Sequence, residues 1–131
     1  MIKLIKFTLI GAIGLFFAAC GDNNPKGATE KFYSSVLSGN VDDFKQYSTK
    51  EVQDGYRYLC SYVVQNDKDF SKCLKDDIAG NFFTKFKIVD VKEDGSTSAS
   101  VVVELYTKDN DIKKEEVRVE KFAEQWKVAI K

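Results

Sequence analysis

The spacing of the apolar residues changes near Gly80, and this change most constrains what the chain can fold into. Before Gly80 the apolar residues recur at intervals of three and four, which is the period of amphipathic helices. After Gly80 they alternate with polar residues, which is typical of strands that bury one face. A run of helices followed by a run of strands predicts an α+β domain.

Capping residues predict where the helices begin and end. Asn24 caps the first helix, Pro25 occupies its first position, and Gly39 ends it. The later helices are predicted to start at Asn40, at a capping box beginning at Ser48, and near Asp69. We expect the third helix to reach about Gln65 and the fourth to end at Gly80.

Four strands are predicted after Gly80, joined in sequence by short turns. The first is a nearly continuous apolar segment from Phe86 to Val91, and Asp94 and Gly95 form a typical hairpin turn. The others are predicted over about 97–106, 112–122 and 126–130. Strands joined in this way form an antiparallel meander. The second strand alternates strictly, and its predicted buried face consists of Ala99, Val101, Val103 and Leu105.

Residues 1–20 have the organisation of a secretory signal. A short basic start precedes an uncharged run from Phe7 to Ala19, which is shorter than the about 18–20 apolar residues that span a bilayer. Small residues stand just before Cys20, and this order resembles the lipobox of bacterial lipoproteins. The alternative is an ordinary secretory signal with an accidental cysteine, which would be cut after Gly21.

The lipoprotein prediction divides the chain into a removed signal peptide, a lipidated tether and one domain, over residues 1–19, 20–24 and 25–131. Within the domain we expect helices over about 25–80 and the sheet over about 82–131. A lipid on Cys20 anchors the protein to a membrane of the bacterial cell envelope, facing the periplasm. The sequence does not decide between the inner and the outer membrane, and it does not indicate the oligomeric state.

Charge and histidine content bear on the possible functions. The chain has 20 basic and 20 acidic residues and no histidine. Because Lys3 and Lys6 lie in the signal, the remaining chain is slightly acidic, which argues against nucleic acid as a partner. Without histidine it lacks the commonest general base and the commonest metal ligand. We therefore predict no catalytic residue, no metal and no cofactor.

The two cysteines other than Cys20 are predicted to form a structural disulfide. Cys60 and Cys73 each lie about five residues from the turn between the third and fourth predicted helices, so they are level across a helical hairpin. An oxidising envelope compartment favours the bond. Two buried free thiols are the alternative, and a redox-active pair is less favoured because the Cys-x-x-Cys spacing is absent.

Several helix and strand residues resemble a family of small bacterial lipoproteins without assigned function. The family belongs to the nuclear-transport-factor-2-like superfamily of cone-shaped α+β domains. The matching residues are Pro25, Ala28, Phe32 and Tyr33, the segment 37–40, and the strand 126–128. The resemblance covers most of residues 25–131 and implies N-terminal helices packed on a curved C-terminal sheet. It carries no catalytic residue across, and the superfamily holds isomerases, dehydratases, ligand binders and assembly adaptors.

The most favoured function is a non-catalytic binding or adaptor module with an envelope protein as partner. Tyr58 and Tyr62 lie one helical turn apart, off the apolar stripe of the third helix, and are the candidate partner contacts. The alternative is a small-molecule or lipid binder that uses a cleft between helices and sheet. The candidate cleft residues are Phe86, Asp90, Glu104 and Trp126.

An enzyme of lyase or isomerase type is a further alternative that the sequence favours least. It would need an inward carboxylate with a raised pKa. Asp90 is expected to share a strand face with Phe86 and Ile88, and Glu104 shares one with Val102 and Tyr106. Both faces are otherwise expected to be solvated.

Overall fold

The first helix lies between the residues that predicted its ends. The structure is a computed structural model that describes residues 23–61 and 65–129. Helix α1 spans Pro25–Ser38, and the Asn24 side chain accepts a hydrogen bond of 2.7 Å from the Gly27 amide. Gly39 follows with φ +73°, and a Cβ there would lie 2.7 Å from the Ser71 carbonyl oxygen. The predicted signal, Cys20 and Tyr62 lie outside the described residues.

The second helix starts as predicted, whereas the third differs from the prediction at both ends. Helix α2 spans Val41–Gln46, with Asn40 as its cap, as predicted. Helix α3 spans Lys50–Leu59, and its cap is Thr49 rather than Ser48. Ser48 is unavailable as a cap because its hydroxyl donates to the Phe44 carbonyl of the preceding helix. The extension of α3 to Gln65 is wrong, since the helix ends at Leu59.

The fourth predicted helix consists of three helical pieces. Helix α4 spans Asp67–Lys72, a π-helical segment spans Cys73–Ile78, and α5 spans Ala79–Phe82. The predicted stop at Gly80 is wrong, because the Phe83 amide still bonds the Ala79 carbonyl and continues the helix past the glycine. Within the described ranges, no helix is both long and apolar enough to cross a membrane.

Four strands form one antiparallel sheet in the order β1-β2-β3-β4, which confirms the predicted meander. Their bounds are Lys85–Glu93, Ser98–Tyr106, Ile112–Phe122 and Gln125–Ala129. Strand β2 alternates between buried and half-buried residues, and the predicted buried face is the observed one. We call this face, which the helices cover, the inner face, and the opposite one the outer face.

A bulge in β1 overturns the predicted position of Asp90. Ile88 pairs with Val103, but Asp90 pairs with Val102, so Val89 is the extra residue. A bulge shifts every later side chain to the other face. Asp90 therefore lies on the outer face and does not share a face with Phe86 and Ile88. The apolar run through Val89 concealed the bulge from the sequence pattern.

The core lies between α1 and the inner face of the sheet. Helix α1 contacts all four strands. Phe32 and Phe44 stack at 5.4 Å between ring centroids, and Phe70 meets Phe44 edge to face at the same distance. The outer edge of β4, which pairs with none of the described strands, bonds to the segment before α3. The Val128 amide donates to the Tyr47 carbonyl at 2.8 Å.

The predicted disulfide is present between Cys60 and Cys73. The Cα atoms are 6.1 Å apart, within the range that a disulfide requires. Cys60 follows directly on α3 and Cys73 begins the π-helical segment, so the bond joins the two helical stretches on either side of residues 62–64. Both side chains are buried.

We expect replacement of both cysteines by alanine to lower the free energy of unfolding by about 3 kcal/mol, because the closed loop constrains the unfolded chain. Urea unfolding followed by circular dichroism measures the loss. Wild-type protein unfolded under reducing conditions is the matched control and should lose a similar amount. Equal stability of oxidised wild type and the double variant would contradict the disulfide.

Candidate functional site

A cleft of about 240 Å³ opens between the helices and one end of the inner face. Its apolar walls come from α3, the π-helical segment, α5 with the residue after it, and β2, through Leu59, Ile78, Phe82, Phe83 and Leu105. Its polar groups are Tyr33, Tyr56, Lys113 and Glu115. Apolar walls with a few convergent polar groups are typical of small-molecule sites.

Strand β3 places both charged residues of the cleft. Lys113 pairs with Leu105 and Glu115 pairs with Val103, so both lie on the inner face. Farther along β3, the same face carries the buried Val117 and Val119. The inner face therefore changes from apolar to charged where it enters the cleft.

Tyr33 connects α1 to the charged part of the cleft. Its side chain is buried, and its hydroxyl donates a hydrogen bond of 2.7 Å to Glu115 Oε1. Burial raises the pKa of Tyr33 above its ordinary value, and the negative charge of Glu115 raises it further. The phenol is thus held neutral and acts as a fixed donor to the carboxylate.

Tyr56 forms a second aromatic wall from α3. Its ring meets Phe44 at 5.2 Å and Phe32 at 5.7 Å between centroids. Burial raises the pKa of Tyr56, and the Glu115 charge adds to the effect. Both tyrosines of the cleft therefore stay protonated far above neutral pH.

Exposed apolar side chains surround the mouth of the cleft. Leu59 is 53% exposed and Phe82 is 51% exposed, and both line the cleft. Tyr58, next to Leu59 at the end of α3, is 79% exposed. Large apolar side chains exposed side by side are typical of binding surfaces.

The four cleft residues predicted from the sequence do not come together. Phe86 is half-buried on the inner face, with its ring 5.5 Å from that of Tyr33. Trp126 is packed in the core at 8% exposure. Glu104 pairs with Lys114 on the outer face, where its carboxylate accepts from Tyr106 at 3.1 Å, and Asp90 lies on the same face.

The sequence pattern did not predict Lys113 and Glu115 as cleft residues, because they belong to a run of mixed charges. Such a run is usually solvated. The available signal was the alternation of β3, since Val117 and Val119 share their parity with Lys113 and Glu115. Extending that alternation by two steps would have placed both charges on the inner face.

A larger groove of about 690 Å³ lies between the start of α3 and the outer face of β3 and β4. It is more open than the cleft, and most of its charged groups already bond within the protein. Arg118 pairs with Glu120, and the Lys127 ammonium donates to the Gln46 carbonyl at 2.8 Å. Partial burial lowers the pKa of Lys127. The smaller inner-face cleft is therefore the stronger candidate site.

The described residues show no group of three or more cysteine, aspartate or glutamate side chains placed to hold a metal ion. The acidic residues of α4 are used locally instead. Asp67 accepts from Lys45 and from Arg57 at 3.0 Å each, and these bonds lower its pKa.

The fold and the cleft can be set beside known proteins. Residues 18–129 match the family "Domain of unknown function (DUF4878)", and the chain belongs to this family. No curated protein matches the chain in sequence.

Solved structures of similar fold share little sequence with this chain. A Campylobacter jejuni protein provisionally named an NTF2-like transpeptidase is 14% identical with a TM-score of 0.53, over 82% of this chain and 99% of that one. A SEC-C motif containing protein from Rhodopseudomonas palustris is 10% identical with a TM-score of 0.53, over 83% and 77%. An NTF-2 like protein of unknown function from Shewanella oneidensis is 17% identical with a TM-score of 0.47, over 79% and 89%. The Campylobacter jejuni protein gives the chain a structural neighbour of the nuclear-transport-factor-2-like fold, as the sequence resemblance implied.

We expect replacement of Tyr33 by phenylalanine to lower the free energy of unfolding by about 1 kcal/mol at neutral pH, through loss of the bond to Glu115. The variant should also change how the free energy of unfolding falls at alkaline pH. The pKa of Tyr33 is higher in the folded protein than its unfolded value of 10.0. The contribution of Tyr33 to the free energy of unfolding is therefore fully present below about pH 10 and is lost as the pH rises above it. The stability of the variant should therefore decline less steeply above pH 10.

Urea unfolding at a series of pH values measures both effects. Replacement of the exposed Tyr58 by phenylalanine is the control and should follow the wild-type curve. Parallel curves for wild type and the Tyr33 variant above pH 10 would show that Tyr33 does not titrate differently on folding.

Proposed function

We propose that this protein is a lipid-anchored envelope protein that binds a small molecule in the inner-face cleft without catalysing a reaction on it. The observation that carries the proposal is the cleft itself, which combines apolar walls with a tyrosine-bound carboxylate. Its volume of about 240 Å³ suits a small ligand, since sites for drug-sized ligands measure about 300–1,000 Å³.

The proposed anchor rests on the sequence before the domain. Cys20 follows a short apolar run and small residues, and α1 begins at Pro25. The segment between them reaches about 15 Å if fully extended, at about 3.3–3.6 Å per residue. The cleft would then work close to its membrane, where stable attachment requires more than one acyl chain.

The electrostatics of the cleft favour binding over proton transfer. A general acid or base works best when its pKa lies near the working pH. The pKa values of Tyr33 and Tyr56 are both raised, which moves them away from neutrality. Glu115 is already engaged by the Tyr33 hydroxyl. We infer that these groups orient a ligand rather than exchange protons with it.

We expect protein extracted gently from its own membranes to carry both an acylated Cys20 and a retained small molecule in its native intact mass. Replacement of Leu59 by tryptophan should abolish the retained mass, because the larger side chain fills the cleft mouth. Leu59 is half exposed, so the fold should tolerate the change. Val89 at the β1 bulge is also exposed and lies away from the cleft, so its replacement by tryptophan is the matched control.

Two results would overturn parts of this proposal. An unmodified Cys20 would remove the anchor. A retained molecule that survives the Leu59 change, or that is lost equally with the Val89 change, would remove the cleft as its site.

A second candidate function is an adaptor that binds an envelope protein through the exposed end of α3. The high exposure of Tyr58 favours it, since exposed tyrosines provide contact area at low entropic cost. We expect replacement of Tyr58 and Tyr62 by serine to remove any co-purifying polypeptide while the melting temperature stays unchanged. A partner that remains bound to the double variant would contradict this surface.

A further inference from the structure

We propose that the ligand of the inner-face cleft is a small apolar zwitterion, in which an ammonium group and a carboxylate group stand close together on a hydrocarbon skeleton, as in an α-amino acid. The inference rests on the proposed function and adds the chemical class of the ligand. It is carried by two opposite charges that share the cleft without pairing.

Lys113 and Glu115 stand two residues apart on the same face of β3, which places their Cα atoms about 6.8 Å apart. Both line the cleft. Within residues 23–61 and 65–129, neither side chain forms an ion pair, and the Lys113 ammonium makes no hydrogen bond. The cleft thus offers one cationic and one anionic group to a ligand.

Glu115 is prepared to receive a cation. Tyr33 donates to its Oε1 atom, which fixes the carboxylate, while the described residues give its second oxygen no hydrogen-bond donor. The rings of Tyr33 and Tyr56 line the same space. Aromatic faces attract ammonium groups, and the attraction grows when the site excludes water. An ammonium between these rings could bond the second oxygen of Glu115.

Lys113 selects against a ligand that carries only a positive charge. Its ammonium would repel a simple amine, as Glu115 would repel a simple carboxylate. A zwitterion satisfies both residues at once, because its carboxylate accepts from Lys113 while its ammonium donates to Glu115. Such charge-assisted hydrogen bonds are stronger than those between neutral groups.

The remaining walls determine the skeleton of the ligand. Leu59, Ile78, Phe82 and Leu105 leave an apolar space of limited volume. A large aliphatic or aromatic group fills such a space, whereas a second polar group would be buried without a partner. The cleft therefore favours a single apolar side group beside the zwitterionic head.

Two sets of probes test the class directly, one built on phenylalanine and one on leucine. Each set contains the amino acid, the amine that lacks its carboxylate, the acid that lacks its amine, and a neutral alcohol of the same skeleton. Calorimetric titration uses the full acylated protein in detergent. We expect at least one amino acid to bind about tenfold more tightly than each other member of its set.

Variants on the two faces of β3 assign the effect to the cleft. Glu115→Gln should remove the difference in affinity between the amino acid and the acid. Lys113→Met should remove the difference in affinity between the amino acid and the amine. Glu116→Gln and Lys114→Met change the same residue types on the outer face of the same strand and should leave all affinities unchanged. Equal losses in inner- and outer-face variants would overturn the assignment.

The outcomes separate this inference from the proposed function. If an amine, an acid or the neutral alcohol binds as tightly as its amino acid and Leu59→Trp prevents that binding, the ligand class is wrong and the cleft remains a small-molecule site. If no probe of either set binds, the inference is also wrong, and the molecule retained by native protein decides the proposed function separately.

Discussion

The packing of α1 across the inner face of the sheet is the contact on which the rest of the structure depends. Helix α1 touches all four strands, so it buries the alternating apolar residues of the sheet in a single layer. The same helix carries Tyr33, whose hydroxyl reaches Glu115 on β3. One helix therefore both closes the core and supplies the donor that orients the cleft carboxylate. The cleft lies where the inner face passes from Val117 to Glu115 and Lys113, and where the helical cover leaves space.

The order of the elements was predictable because helix caps and alternation act locally. Asn24 begins α1 with a side-chain cap and Gly39 ends it with a left-handed backbone, and the strict alternation of β2 gives its buried face directly. The start of α3 and the helix beyond Gly80 were not predictable in this way, because neighbouring contacts override the capping signals. The hydroxyl of Ser48 is used by α2, and the helix continues through Gly80 until Phe83 enters the core.

The candidate site was harder to predict than the fold, for two separate reasons. A bulge in β1 reverses the face of Asp90, and an apolar run of Ile88, Val89 and Val91 gives no sign of where the extra residue lies. On β3 the inner face is charged at Lys113 and Glu115, so a search for apolar alternation stops two steps too early. Both side chains remain exposed to solvent at the cleft, so neither charge carries the cost of full burial. Two opposite charges that line a cleft offer a ligand polar contacts, which the aromatic residues of the core do not.

The electrostatic arrangement of the cleft bears on the proposal that the protein holds a ligand without transforming it. Tyr33 and Tyr56 gain raised pKa values chiefly from burial, and the Glu115 charge acts in the same direction on both. Each phenol therefore remains a hydrogen-bond donor across the neutral range, and the carboxylate keeps a fixed orientation. A fixed donor and acceptor reduce the ordering that a ligand must impose when it binds. Proton transfer would instead need a group whose protonation changes near the working pH. The disulfide also fixes the cleft before a ligand binds. It joins the end of α3 that carries Leu59 to the helical stretch that carries Ile78, and so holds two walls of the cleft together.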